Sequence, residues 1–245
     1  MTNEIAIKNK IRPTGLRARV AQAEEVKAKR AASVLDADNR IGLMLDVSGS
    51  MNNHLQGKRK IEHLKDAMNG FVRSCDFSTT SVAFETFPGG FTDFDFEDTP
   101  MQSFVTGRSL CNDEALLLLD MAQLRASGST PMASAMHVML SKNALTRGVL
   151  VSDGEADSPS EALNIAKQWC EASISIDCVH IGDQANGEAL LKQIAEITGG
   201  MFIKFENVAS FAKSFKYLAP AFYAMLTSGQ VGAAELGARE IEGSK

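Results

Sequence analysis

Two distant stretches of the chain share one pattern, an apolar run that ends in aspartate: Ile41-Gly-Leu-Met-Leu-Asp46 and Gly148-Val-Leu-Val-Ser-Asp153. Runs without polar alternation suit strands covered on both faces, as in parallel sheets lying between two layers of helices. Helical periodicity fills the intervals. Ile61, Leu64, Met68, Phe71 and Val72 recur at helical spacing through residues 59 to 75. Met132, Ala135, Met136, Met139 and Leu140 share a face after Pro131, a residue suited to a first helical turn. Helix, strand, helix and strand signals follow at about 159 to 172, 174 to 181, 187 to 197 and 200 to 204. Residues 81 to 87 (SVAFETF) and 102 to 106 (QSFVT) read as an antiparallel edge hairpin, joined by an acidic loop from Pro88 to Pro100. The alternation predicts an α/β fold: a three-layer, doubly wound, mostly parallel six-stranded sheet with one antiparallel edge strand.

The expected organisation is a basic, partly helical arm over 1–37, one domain over 38–226 and a flexible tail over 227–245. Within the arm, Glu25 and Lys29 have the spacing of a helical ion pair. Its apolar stripe is too sparse for a coiled coil, so a solvated or loosely docked helix is the reading. Near the other end, Val208, Phe211, Phe215, Leu218 and Phe222 form one helical stripe that Pro220 kinks or ends.

Charge narrows the function. The first forty residues hold nine Lys/Arg against five Asp/Glu, a balance of +4, so with a net charge of −5 the remainder carries −9. An acidic body argues against nucleic acid as a partner, because phosphate binding needs a clustered basic face. It suits a cation-binding surface. No apolar run reaches the length of a membrane span, and the first twenty residues, with Lys8, Lys10, Arg12, Arg17 and Arg19, lack a signal peptide's apolar stretch. Cys75, Cys111, Cys170 and Cys178 form no Cys-x-x-Cys pair and read as reduced core thiols. A cytoplasmic protein is expected.

The chemistry concentrates in three loops. Asp46-Val47-Ser48-Gly49-Ser50 sets a carboxylate and two hydroxyls in one turn at the end of the first buried strand, with Gly49 expected to let it bend sharply. Thr130 precedes a helix in the loop Ser127-Gly-Ser-Thr-Pro131, and Asp153 ends another buried strand. In open parallel sheets, ligands sit beyond the carboxyl ends of strands where the winding reverses. If the two strands are neighbours, Asp46, Ser48, Ser50, Thr130 and Asp153 converge on one point. Such an oxygen-only set with few carboxylates selects a hard cation, Mg²⁺ over Ca²⁺, with Mn²⁺ able to substitute.

Asp-x-Ser-x-Ser, a distant Thr in a glycine-containing loop and Asp-Gly after a strand together resemble the metal-ion-dependent adhesion site of von Willebrand factor A-type domains. The resemblance covers about residues 38 to 226. Ser127 to Met132, Ser152 to Asp157 and Thr198-Gly-Gly-Met201 look most like bacterial members. It implies that Ser48, Ser50 and Thr130 ligate the metal directly, while Asp46 and Asp153 act mainly through water or hydrogen bonds. It also implies a non-enzymatic module whose metal takes an Asp or Glu from a partner protein. Similarity to magnesium-chelatase-type subunits points to an AAA+ ATPase as that partner.

Other signals lead elsewhere. Asp93-Phe-Asp-Phe-Glu-Asp98 departs from a calcium loop, with Asp98 where glycine is needed and Phe104 at the twelfth position, and reads as solvated acids. His54, His63, His137 and His180 are dispersed, as surface or core residues rather than ligands. Met132, Met136 and Met139 read as core, whereas Met51, next to Ser50, is expected to be exposed beside the metal. No glycine motif for phosphate appears, so no nucleotide cofactor is expected. One alternative is a Mg²⁺-dependent phosphatase-like hydrolase, but Ser48 stands where Asp-x-Asp chemistry needs its second acid. The other is a structural assembly component docking through the arm and last helix.

Overall fold

The structure, a computed structural model, describes Val34 and residues 37–88, 106–142 and 144–205. The expectations for the arm, the acidic loop, the helix after 207 and the tail thus fall almost wholly outside the described residues. In chain order the elements are β1 (Asn39–Asp46), a 3-10 turn (Gly49–Asn52), β2 (His54–Leu55), β3 (Lys58–Arg59) and α1 (Lys60–Ser74). Then come β4 (Thr80–Phe87), β5 (Thr106–Cys111), α2 (Glu114–Gln123) and α3 (Met132–Lys142). The last are β6 (Arg147–Ser152), α4 (Pro159–Glu171), β7 (Ser175–His180), α5 (Ala185–Thr198) and β8 (Phe202–Lys204).

Six strands form one sheet in the order β5-β4-β1-β6-β7-β8. All neighbours run parallel except β4 and β5. The fold is the expected mixed α/β sheet flanked by helices. Alternation along β1 explains the two layers. Leu43 and Leu45 pack with Leu64, Met68 and Phe71 of α1 and with Leu117 and Met121 of α2. Met44, pointing the other way, packs with Met136 and Met139 of α3, Trp169 of α4 and Leu191 of α5. Trp169 also donates its indole N–H to the Met136 carbonyl at 3.1 Å, tying α4 to α3.

Three features depart from the sequence expectations. The edge strand continues through Thr106–Cys111, past the expected end at 106, while residues 102 to 105 of the expected strand lie outside the described residues. Its interior holds Gly107 and Arg108, which disguise it, but Arg108 is held by Asp120 of α2 and Gly107 lies against the β4 backbone. Helix α2 itself went unpredicted, since its run of four leucines gives weak periodicity; Asp113 caps it by accepting from Leu116 N. Cys170 is exposed rather than core, while Cys178 is buried, and all four thiols are free.

Candidate metal centre

The winding reverses at β1, which is followed by β4 on one side and flanked by β6 on the other. Leu45 pairs with Val151, so Asp46 and the Ser152–Asp153 end of β6 emerge side by side. Both aspartates are fully buried. Asp46 Oδ1 accepts from Ser48 N at 2.8 Å, closing the turn, and Oδ2 accepts the Ser152 hydroxyl. The hydroxyls of Ser48 and Ser50 lie 3.0 Å apart.

Backbone bonds clamp the second loop onto this turn. Gly49 N donates to the Gly128 carbonyl at 2.9 Å and Ser127 N donates to the Val47 carbonyl at 2.7 Å. Thr130, buried, is carried in by that loop, and its own N–H donates to Asp157 Oδ1 at 3.0 Å. The sharp bend sits elsewhere than expected: Gly128 and Gly154 hold left-handed φ values of 76° and 85°, whereas Gly49 has no positive φ. At Gly128 a side chain would also press on the Pro88 ring.

The structure thus joins Asp46, Ser48 and Ser50 by hydrogen bonds, sets Asp153 beside Asp46, and ties Thr130 through its backbone to Asp157 in the loop after Asp153, with the neighbouring Ser127 and Gly128 bonded to the first turn. Met51 is a correction: it is fully buried in the α1-side core and presents nothing to a ligand. The apolar wall beneath the turn needed a side chain there, which outweighs its nearness to Ser50.

Sequence reasoning missed two contributors. Ser152 bridges the loops by donating to Asp46 and accepting from Gly154 N at 2.8 Å. Lys60, the first residue of α1, is buried and its Nζ lies 3.0 Å from Asp153 Oδ2. A lysine within Gly57-Lys-Arg-Lys60 reads as surface; the available signal was its place at a helix N-terminus, where a cation opposes the dipole and needs an acid nearby.

Electrostatically the site is short of positive charge. Burial, and then the neighbouring Asp153, push the Asp46 carboxyl up to about 7 against hydrogen bonds from Ser152 and Ser48. Asp153 Oδ1 is buried with no hydrogen-bond partner. An unpaired buried carboxylate oxygen is costly, and a cation or its water relieves that cost. The donor set is oxygen throughout, which fits a hard divalent ion. Among the described residues no three His, Cys, Asp or Glu side chains gather as metal ligands, so any ion here relies on hydroxyls.

Sheet order and helix placement define the class of protein, an α/β domain with buried aspartates and a hydroxyl turn at its topological switch point. The von Willebrand factor type A domain family matches residues 39–203, and the chain belongs to that family. Members of the family generally mediate protein–protein interaction. No curated protein sequence matches the chain. Among solved structures it is similar to an aerotolerance-related membrane protein from Bacteroides fragilis, at 15% identity and TM-score 0.56, covering 76% of this chain and all of that one. It is similar to the manganese-loaded TRAP protein of Plasmodium vivax, at 16% identity and TM-score 0.53, covering 76% of this chain and 74% of that one. The SpRpn10 VWA domain is also similar, at 13% identity and TM-score 0.53, covering 76% of this chain and 97% of that one. At such identities the likenesses carry the fold alone. Among the described residues no helix is long and apolar enough to cross a membrane.

Proposed function

We propose that this chain is a divalent-metal-dependent protein-binding module, with Mg²⁺ or Mn²⁺ held by Ser48, Ser50 and Thr130 and, through water or hydrogen bonds, by Asp46 and Asp153. One observation carries the reading: two fully buried carboxylates, one with an orphaned oxygen, stand beside paired hydroxyls where adjacent strands end. The manganese loaded in the TRAP protein, which shares this fold, supports a divalent ion as the ligand.

Each residue then has a task. Ser48 and Ser50 offer neutral oxygens, which leave an ion's charge largely uncompensated. Asp46 holds the turn by accepting from Ser48 N, and Ser152 keeps its second oxygen oriented. Thr130 offers its hydroxyl from a loop that the Val47 and Gly49 bonds fix in place. A bound ion supplies a positive point at which an Asp or Glu of a partner can dock.

The hydrolase alternative gains no support, since Ser48 occupies the position of the second acid. An AAA+ ATPase is the partner class to test first, on the similarity to chelatase-type subunits. Four free thiols support a reducing, cytoplasmic setting. The test is affinity capture by the full chain with Mg²⁺, with EDTA, and with Asp46→Ala. Partners retained only by the Mg²⁺ wild type support the reading; the same proteins in all three arms refute it.

A further inference from the structure

We propose that Lys60 is a built-in counter-cation of this site, one that weakens metal binding and leaves the loaded site positive, so that it selects an anionic group on the partner. This rests on the metal-site reading above and concerns a residue outside the five-residue donor set.

The geometry is specific. Lys60 begins α1, directly after the β2–β3 hairpin, and its backbone N–H is tied to the Asn53 carbonyl at 2.9 Å. Its side chain is only 5% exposed, Asp153 is 0% exposed, and Nζ meets Oδ2 at 3.0 Å. The ammonium therefore stays on Asp153 rather than swinging to solvent. Salt screening is weak at such depth, so its charge acts on the whole site.

Charge counting gives the consequence. With both carboxylates ionised, the form that receives an ion, Asp46 and Asp153 contribute two negative charges and Lys60 one positive, a balance of −1 before the ion is counted. Adding a divalent ion brings it to +1, and a partner's carboxylate then closes it to neutrality. With a neutral residue at 60 the loaded site is already neutral, and a docking carboxylate leaves a buried negative charge. Lys60 also spends Asp153 Oδ2, so that Oδ1 is the oxygen left to face an ion or its water. The nearby Asp157 is exposed and accepts from Thr130 N, which places its charge in solvent rather than among the buried groups.

The experiment compares the full-length wild type with Lys60→Met and Lys60→Gln, the latter keeping a donor for Asp153 and hence the fold where Met loses it. Mn²⁺ affinity is read by calorimetry. Acetate docking on the Mn²⁺-loaded chain is read as the loss of water-proton relaxation. Neutral variants are expected to bind Mn²⁺ about tenfold more tightly, as removal of a nearby like charge in a poorly screened site implies, and to respond to acetate several-fold more weakly. Lys60→Arg, which keeps the charge, is expected to follow the wild type. Unchanged or weaker Mn²⁺ affinity in Lys60→Gln assigns Lys60 a purely structural role and overturns the proposal, as does an unchanged acetate response. A wild type that gives no heat with Mn²⁺ overturns the metal reading itself, which is a distinct result.

Discussion

The Ser152 hydroxyl, at the end of β6, donates to Asp46 Oδ2 at the end of β1, joining residues 106 positions apart. The same hydroxyl oxygen accepts from Gly154 N at 2.8 Å. One buried side chain thus holds the first aspartate and shapes the turn carrying the second. Ser152→Ala leaves a buried carboxylate oxygen and a buried amide without that partner, and is expected to cost about 1–3 kcal/mol in urea unfolding. The loss should be larger in EDTA than with saturating Mn²⁺; a stability equal to wild type contradicts the bridging role.

Proton binding at Asp46 sets a pH dependence of the metal-free chain. Its carboxyl titrates at about 7 when folded, raised by burial and by Asp153, against about 3.9 for an aspartate in an unfolded chain. Between about pH 4 and 7 the folded state holds a proton that the unfolded state has released, so this group lowers stability as pH rises through that window. In EDTA, the melting temperature of the wild type relative to Asp46→Asn is therefore expected to fall from about pH 5 to 7. A pH-independent difference contradicts the assignment. Because an ion and the proton compete for this site, apparent Mn²⁺ affinity should weaken as pH drops below that carboxyl's midpoint.

Arg147 and Asp177 give a control at the opposite end of the strands. Arg147 donates twice to the buried Asp177 carboxylate, both at 2.7 Å, and Met201 N donates to it at 2.8 Å. Asp177→Ala is expected to lose about 3 kcal/mol of stability, the scale of breaking a buried ion pair. Mn²⁺ affinity should stay at the wild-type value. A parallel loss of affinity would show that the site is not insulated from the far end of the sheet.

Gly154 tests the backbone of the second aspartate's turn. Its φ is 85°, and a side-chain carbon there would lie 2.4 Å from Gly187 backbone atoms at the start of α5. Gly154→Ala combines left-handed strain with a clash that rigid backbone cannot relieve, so a loss of about 1–3 kcal/mol is expected. Wild-type stability in that variant contradicts the packing described here.

The fold was legible where burial wrote a continuous pattern. The runs ending at Asp46 and Asp153 showed that the two strands are covered on both faces, and the pairing of β1 with β6 sets Asp46 beside the Ser152–Asp153 end of its neighbour. Helix α2 and strand β5 were harder to see: four consecutive leucines blur the periodicity of α2, and the polarity of β5 is resolved by tertiary partners such as the Arg108–Asp120 pair, which no local pattern records. Met51 misled for the same reason: its fate depended on the wall beneath the turn rather than on its neighbour Ser50. Lys60 was invisible as a site residue, since its burial is a property of how α1 is set against β6.

Calorimetric titration of the full chain with Mn²⁺, in wild type and in Asp46→Ala, tests the central claim most directly. The account predicts saturable binding of one ion per chain that Asp46→Ala abolishes while the variant remains folded. Absence of binding in the wild type, or equal binding by the folded variant, would contradict it.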